Sequence, residues 1–168
     1  MAQMFTACKQ RNLNEISHLL KTGVDVNATD PTGKGMLHLV IGKTKIDHDS
    51  TKMKNVAQIV QLLLDNKENP DTPTKDRDVW APIHFCAKSM NALAANVLFQ
   101  RKAEMNALDG SKRTALDILV EDKFPNRDLA HHFINWGGKL GPNSWPPLKG
   151  ANEEQKVVRR AARQAGRV

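Results

Sequence analysis

The sequence predicts an all-α fold, a solenoid of stacked helix-turn-helix units joined by hairpin loops. Three sets of residues recur in the same order along the chain, at intervals within the roughly 20 to 50 residues that are typical of repeat proteins. Apolar residues also recur three and four positions apart, which places them on one face of a helix. A single helix pair cannot bury such a face, so we expect several pairs to stack against one another.

The first recurring element is a tetrapeptide that opens a helix. The second is an apolar pair that precedes a polar turn. The third is an Asn or Asp that is followed by a further Asp within a few residues. The tetrapeptide occupies 35–38, 81–84 and 114–117, the apolar pair 19–20, 63–64, 98–99 and 133–134, and the third element Asn27, Asp71 and Asn106.

The tetrapeptides read Gly-Met-Leu-His, Ala-Pro-Ile-His and Thr-Ala-Leu-Asp. They resemble the helix start of ankyrin repeats, a family whose repeat period is about 33 residues. This resemblance implies that each unit is a turn, a helix, a tight reversal, a second helix and a hairpin loop. It also implies that His38 and His84 bridge backbone groups of adjacent units. The resemblance covers residues 1–138 and divides them at about 1–29, 30–75, 76–108 and 109–138.

Local sequence supports this reading in the third and fourth units. Pro82 suits the first turn of a helix, where a missing N–H has no intrahelical partner to lose. Thr114 suits the cap of the next helix, because its hydroxyl accepts a hydrogen bond from an otherwise unpaired amide. The hairpins depart from the pattern. Gly33 obeys the family preference for glycine at the tight turn, but Val79 and Lys112 do not, and we expect the turn at Val79 to take another shape.

The second unit is longer than the third, because more of the chain separates His38 from His84 than separates His84 from Asp117. The excess is predicted to be a loop at residues 42–54, between the two helices of that unit. Lengthening a surface loop costs little free energy, so a tolerated excursion is the first interpretation. The alternative is a binding element, because insertions in repeat proteins map to loops, often on the binding face.

Residues 139–168 form a second region, a Pro-rich arm followed by a basic tail. This region has seven basic and two acidic side chains, a net charge of +5, whereas the net charge of residues 1–138 is +2. We expect Trp136 and Trp145 to cover the end of the array and the tail to be solvated. Nuclear import, nucleic acid and acidic protein surfaces are the alternative roles of a short tail helix that contains Arg159, Arg160 and Arg163.

The sequence of 168 residues contains no recognisable catalytic, cofactor or metal site. Gly42 and Lys43 resemble the end of a phosphate-binding loop, but Leu37 stands where that motif requires its first glycine. Cys8 and Cys86 form no CxxC pair, which favours buried thiols in a reducing compartment. The chain begins with no apolar leader and contains no bilayer-length apolar stretch, so we expect a cytoplasmic or nuclear protein.

Surface recognition is the remaining class of function. Ankyrin arrays use their hairpin tips and the concave face of their first helices, so the resemblance directs attention to the hairpins. Trp80 precedes Pro82 there and is expected to be an exposed anchor, with packing against the neighbouring hairpin as the alternative. The other candidate contacts are Lys34, Arg77, Asp78, Lys112 and Met90.

A Thr-Pro pair lies in the hairpin between the second and third units. Thr72 is followed by Pro73, and Lys75 stands two positions beyond the proline, as in sites of proline-directed kinases. A phosphate on Thr72 would place about −1.5 to −2 charge beside Lys75 and Arg77. Thr72 is therefore a candidate phosphorylation site.

We therefore expect a non-catalytic intracellular adaptor or inhibitor that binds another protein. The size of the chain and the stretch 63–87 also resemble compact ankyrin regulators of cyclin-dependent kinases, which makes a kinase regulator in cell-cycle control the first alternative. Binding of nucleic acid or an acidic partner through the basic tail is the second, and for nucleic acid the small number of basic residues argues against it.

Overall fold

The computed structural model describes residues 1–42, 50–121, 126–142 and 153–165. These residues form nine α-helices and no strand, so the all-α class is confirmed. No helix in the described ranges combines the length and apolarity needed to cross a bilayer. The helices are α1 (Ala2–Gln10), α2 (Leu13–Lys21), α3 (Met36–Ile41), α4 (Ser50–Asp65), α5 (Pro82–Ser89), α6 (Ala92–Gln100), α7 (Ala115–Glu121), α8 (Arg127–Asn135) and α9 (Glu153–Ala165).

The first eight helices pack as four consecutive pairs, each of which we call a unit. Helix α1 packs on α2, α3 on α4, α5 on α6 and α7 on α8. The first helices of successive units contact each other, α1 with α3, α3 with α5 and α5 with α7, and form the inner row. Of the second helices, α2 contacts α4 and α4 contacts α6. The units are therefore stacked in chain order.

One continuous core runs through the stack. The apolar residue of each tetrapeptide, Leu37, Ile83 or Leu116, is at most 1% exposed. The second helices contribute apolar side chains at spacings of three and four, and Ile16, Ile59, Leu63, Leu98 and Phe133 are fully buried. The helical periodicity of the sequence thus matches the buried face.

Two histidines each hydrogen-bond a helix pair to the backbone segment that follows it. Nδ1 of His38 accepts a hydrogen bond from the Gly35 N–H at 3.0 Å, and Nε2 lies 3.1 Å from the Trp80 carbonyl of the next unit. His84 repeats this arrangement with the Ala81 N–H at 3.1 Å and the Ala107 carbonyl at 3.0 Å. Because Nδ1 accepts, Nε2 carries the proton and donates it to the carbonyl. Each buried imidazole therefore fixes the start of its own helix and the position of the following hairpin.

The fourth unit makes equivalent hydrogen bonds with different side chains. Asp117 replaces the histidine, and its Oδ2 accepts from the N–H groups of Thr114 at 2.9 Å and Gly141 at 2.7 Å. The Thr114 hydroxyl accepts from the Asp117 N–H at 3.3 Å and donates to the Lys139 carbonyl at 2.7 Å. Pro82 occupies the first turn of α5, as the sequence predicted.

The third recurring element makes a second series of hydrogen bonds, which join the successive loops that follow the second helices. Asn27 donates to the Lys67 carbonyl at 3.1 Å and accepts from the Asn69 N–H at 2.8 Å. Asp71 accepts from the Glu104 N–H at 2.8 Å. Asn106 donates to the Gly137 carbonyl at 3.1 Å and accepts from the Lys139 N–H at 2.7 Å. All three side chains reach the next loop along the stack.

The three hairpins share one backbone shape, contrary to the expectation for Val79. Gly33, Val79 and Lys112 all adopt the left-handed conformation, with φ of 78°, 51° and 62°. The N–H of each of these residues donates to the main-chain carbonyl of the residue that opens its hairpin, at 2.8 to 3.2 Å; the three acceptors are Asp30, Asp76 and Asp109. The surrounding contacts therefore impose this shape on a β-branched residue that disfavours it.

The insertion of the second unit is partly helical rather than entirely a loop. Helix α4 begins at Ser50 and has 16 residues, whereas α2, α6 and α8 have nine each. Met53 packs against the core from this added turn, which explains why the helix extends into the insertion. Residues 43–49 of the predicted loop lie outside the described residues.

The basic tail also differs from the expectation of a solvated segment. Helix α9 packs on α7 and α8 and covers the end of the stack. Val158 is fully buried and Ala162 is 3% exposed, so the tail helix has an apolar face that would be costly to leave in water. Trp136, expected to cover that end, instead stacks on Phe99 of α6, with ring centroids 5.0 Å apart. Trp145 lies outside the described residues.

Replacing Val79 by glycine is expected to stabilise the protein by about 1 kcal/mol. Glycine relieves the strain of a left-handed non-glycine residue, which is about 1 to 3 kcal/mol. The greater conformational freedom of glycine in the unfolded chain offsets about 0.4 to 1 kcal/mol of this stabilisation. Val79 is 40% exposed, and losing the buried remainder of its side chain offsets a further part of the gain. Urea denaturation measures the difference. Lys112→Gly is the matched control with a smaller gain, because lysine is not β-branched, and a destabilised Val79→Gly variant would contradict the strain argument.

We also predict a loss of stability in acid that originates at His38. Burial, only partly opposed by the hydrogen bond to the Trp80 carbonyl, lowers the pKa of His38 from 6.5 to about 4. A depressed pKa means that the stabilisation is complete above pH 6.5 and disappears as the pH falls from 6.5 through about 4, by about 3 kcal/mol in total. The measurement is the free energy of unfolding against pH. His38→Gln is expected to flatten the curve in this window, and an unchanged slope would exclude His38 as its source.

Candidate binding face

The three hairpins form a continuous row along one edge of the stack. They consist of residues 30–34, 74–80 and 109–113, and we call them the hairpin row. The Lys75 N–H donates to the Thr32 carbonyl at 3.1 Å, and the Gly110 N–H donates to the Asp78 carbonyl at 2.7 Å. Gly33 and Gly110 permit this approach, because a Cβ at either position would overlap the backbone of a neighbouring hairpin. The row is therefore a bonded ribbon rather than three separate loops.

Aspartates at the start of the hairpins are used to hold them closed. Oδ1 of Asp30 accepts from the N–H groups of Thr32 at 2.8 Å and Lys34 at 3.0 Å. Oδ1 of Asp109 accepts from the N–H groups of Ser111 and Arg113, each at 2.8 Å. Burial disfavours the charge of Asp109, but the hydrogen bonds from Arg113 and Ser111 outweigh it and hold the pKa of this carboxyl below its usual value. These carboxylates are committed to the fold.

Trp80 is part of the core, which corrects the expectation of an exposed anchor. Its side chain is 6% exposed, and its indole N–H donates to Oδ2 of Asp109 at 3.3 Å. The ring lies edge-on to Phe85 with centroids 5.6 Å apart and stacks on His84 at 6.2 Å. The large aromatic surface is buried and the polar N–H has a partner in the next hairpin. The alternative of packing against the neighbouring hairpin is thus the observed arrangement.

A cleft of about 210 Å³ opens between the hairpin row and the inner helices α5 and α7. Arg113 lines the cleft, with Nε and Nη2 donating to Oδ2 of Asp109 at 3.0 and 2.8 Å. Its Nη1 donates to Oε2 of Glu121 at 3.0 Å. The Arg113 and Glu121 side chains remain 32% and 29% exposed, so their charges are accessible from solvent. The lining residues are Trp80, Lys88, Arg113, Ile118 and Glu121.

The remaining candidate contacts differ in how accessible they are. Arg77, Asp78 and Lys112 are exposed on the hairpin tips, and Lys34 is half-buried beside Asp30. Met90 lies away from the tips. It is the left-handed residue that ends α5, with φ of 56° and its N–H bonded to the Ala87 carbonyl at 3.2 Å. The structure thus brings the charged candidates together and assigns Met90 to a turn.

Thr72, the candidate phosphorylation site, is half-buried at the base of the second hairpin. Two residues later Thr74 is 2% exposed. Its hydroxyl donates to Asp76 at 2.6 Å and accepts from the Trp80 N–H at 2.9 Å. A kinase that reads an extended Thr-Pro segment would therefore have to open this hairpin.

The arginines of the tail do not form one exposed cluster. Arg159 is 6% exposed, on the side of α9 that contains Val158 and Ala162. Arg160 is exposed and Arg163 is half-buried. The helical period explains the exposure of Arg160, because at about 100° per residue it points away from Val158 and Ala162.

Glu68 is a residue that the sequence analysis missed. It is 6% exposed, and its Oε1 accepts from the Leu37 N–H at 2.9 Å, at the start of α3. Burial raises the pKa of Glu68 to about 8 despite this hydrogen bond. The N-cap of α3 is Gly35, which has no side chain to accept that bond. Because Gly35 has no capping side chain, the free N–H groups at the start of α3 needed an acceptor from elsewhere in the chain, which was the signal in the sequence.

A further repeated mark was also missed, the asparagine before a second helix. Asn12, Asn91 and Asn126 cap α2, α6 and α8, each accepting from a backbone N–H three residues later at 2.9 to 3.2 Å. Asparagine is among the preferred capping residues. These residues are structural and lie outside the hairpin row.

The described residues contain no cluster of three or more His, Cys, Asp and Glu side chains that could hold a metal ion. Both cysteines are buried and unpaired. Burial, followed by the charge of Glu68, raises the pKa of Cys8 to about 12, and burial alone raises the pKa of Cys86. A thiol with a raised pKa is a poor nucleophile at neutral pH. These two cysteines are packing residues.

No protein-family model matches the chain, and a search of the curated proteins finds none that is similar to it. The likeness to ankyrin repeats therefore rests on the recurring residues and on the contacts that they make.

Replacing Arg113 by glutamine is expected to destabilise the protein by about 2 kcal/mol, because the buried Asp109 carboxylate loses its charged partner. Glu121→Gln removes only the half-exposed partner of the same arginine and is expected to cost less than about 1 kcal/mol. Urea denaturation of both variants at neutral pH provides the comparison. Equal losses in the two variants would show that Arg113 does not act through Asp109.

Proposed function

We propose that this chain is an ankyrin-repeat protein, a non-catalytic interaction module that acts inside the cell as an adaptor or inhibitor. The stacking of four helix pairs in chain order and the three hairpins of one shape support the assignment. So do the imidazole bridges from His38 to Trp80 and from His84 to Ala107. In such arrays the hairpin tips and the first helices bind the partner. The corresponding surfaces of this chain are the hairpin row and the cleft beside it.

The observation that carries the proposal is the separation of structural from unused side chains within the hairpin row. Its buried and half-buried side chains, Trp80, Asp109 and Asp30, are engaged in internal hydrogen bonds. Among its exposed side chains, Lys75, Arg77 and Lys112 make no hydrogen bond or ion pair with any described residue, whereas Thr32 donates to Asp30. A rigid edge that presents charges not needed for folding suits recognition of a second protein.

The alternative of recognition through the tail receives less support. Arg159 lies in the packed face of α9, so a protein or nucleic acid that needed all three arginines would first have to detach this helix. A tail bound to nucleic acid through a few phosphate contacts would also show a steep salt dependence.

We expect a photo-crosslinking amino acid at Asp78 or Lys112 to capture a protein from a cell extract. Both positions are exposed on the tips, so a crosslinker there can reach a bound partner, and circular dichroism establishes that each variant is folded. Mass spectrometry identifies the adduct, and altered phosphotransfer on mixing with the purified partner would identify a kinase regulator. Lys21 and Lys54, exposed on α2 and α4, are the matched controls. Adducts that form equally at all four positions, or with nucleic acid alone, would refute the proposal.

A further inference from the structure

The exposed charges of the hairpin row are mostly positive. Lys75, Arg77 and Lys112 are exposed on its tips, and Lys139 is exposed on the turn that follows α8. None of these four side chains makes a hydrogen bond or ion pair with a described residue. The exposed carboxylate among them is Asp78, so the exposed charge of this edge is +3. We call the hairpin row together with Lys139 the hairpin face.

The exposed positive charge arises because the carboxylates of the hairpins accept hydrogen bonds within the fold, whereas the basic side chains on the tips do not take part in closing the hairpins. Asp30 and Asp109 accept hydrogen bonds from the backbone of their own hairpins, and Asp76 accepts from the Thr74 hydroxyl. Their charges are therefore turned toward amide and hydroxyl donors. The ammonium groups of Lys75 and Lys112, in contrast, hold no hairpin closed. All ionised side chains of the hairpin face together have a net charge of +2, and those exposed to solvent are predominantly basic.

We propose that the hairpin face binds an acidic, extended segment of a protein partner. This inference rests on the proposed function and adds the chemistry of the partner. Opposite potentials favour such an encounter and fix its register. Neighbouring inner helices pack about 8 to 10 Å apart, so the three hairpins and the final turn span about 30 Å. An extended segment of about nine residues covers that distance.

The cleft shows how one carboxylate of the partner is held. Nη1 of Arg113 already binds Oε2 of Glu121 at 3.0 Å, in a cleft that Lys88 also lines. Glu121 ends α7 and is not buried. A glutamate or aspartate of the partner replaces Glu121 on Arg113, whose other nitrogens stay on Asp109. Glu121 is thus an internal competitor for the position.

The exposed apolar residues on the face and directly beside it favour a protein segment over nucleic acid. Val79 is 40% exposed and Leu108, just before the third hairpin, is 43% exposed. Both are aliphatic and suit the aliphatic side chains of a peptide, whereas single-stranded nucleic acid is bound by stacking its bases on aromatic rings. The aromatic residue of the row, Trp80, is buried. The partner segment therefore combines carboxylates with aliphatic side chains.

The test uses the full chain and a fluorescein-labelled peptide of about nine residues that alternates Glu with Leu, a length set by the span of the face. Fluorescence anisotropy at low salt measures the affinity. We expect Lys75→Glu/Arg77→Glu/Lys112→Glu to weaken binding at least tenfold. The matched variant Lys21→Glu/Lys54→Glu/Lys102→Glu makes the same charge change on exposed residues outside the face and is expected to change it less than twofold. Circular dichroism establishes that both variants are folded.

Two further measurements sharpen the result. Glu121→Gln is expected to tighten binding about threefold, because it removes the internal competitor at Arg113. A Gln-Leu peptide of the same length is expected not to bind. Equal weakening by the two triple variants, or no effect of either, would overturn the proposal. So would a single-stranded oligonucleotide that binds this face more tightly than the acidic peptide. Any of these outcomes leaves the crosslinking result at Asp78 and Lys112 standing, so the two proposals fail separately.

Discussion

The hydrogen bond from a buried side chain to the backbone segment that follows its own helix pair is the interaction on which the rest of this structure depends. His38 reaches the Trp80 carbonyl, His84 reaches that of Ala107, and Thr114 reaches that of Lys139. The donor side chain of each bond is at most 2% exposed, so leaving it unpaired would be costly. Successive units are consequently held in one register, and the hairpin row and its cleft exist because that register brings neighbouring hairpins into hydrogen-bonding distance.

The sequence predicted the parts of the fold that recur. Three copies of the tetrapeptide were enough to indicate stacked helix pairs, because a residue type that returns at the same place in each unit meets the same neighbours. The places of Pro82 and Thr114 followed from local backbone chemistry alone. What the sequence did not predict depends on contacts between units. Trp80 looked exposed because a turn usually is, and only the position of Asp109 in the following hairpin shows that the indole N–H has a buried partner.

The same reason explains the other corrections. Val79 was expected to avoid a left-handed conformation on intrinsic preference, but bonds to both neighbouring hairpins fix the turn that contains it. The tail was read as solvated because its composition is basic, whereas the free surface at the end of α7 and α8 offers an apolar place for Val158 and Ala162. The positions equivalent to Glu68 in the other loops are Val24, Ala103 and Gly138, so the repeat pattern did not predict a buried carboxylate there. The burial of Glu68 is explained by α3, which begins at Gly35 without a capping side chain. In each case tertiary context outweighed a local rule.

The bonded hairpin row has a consequence for the thermodynamics of association. Hairpins that are joined through their backbones and closed by left-handed residues have already lost the conformational entropy that free loops would lose on docking. A partner at this edge would therefore order mainly its own chain and the outward lysine and arginine side chains. The entropic cost of the complex falls mainly on the partner, so affinity for this edge depends chiefly on how rigid the partner segment is before it binds.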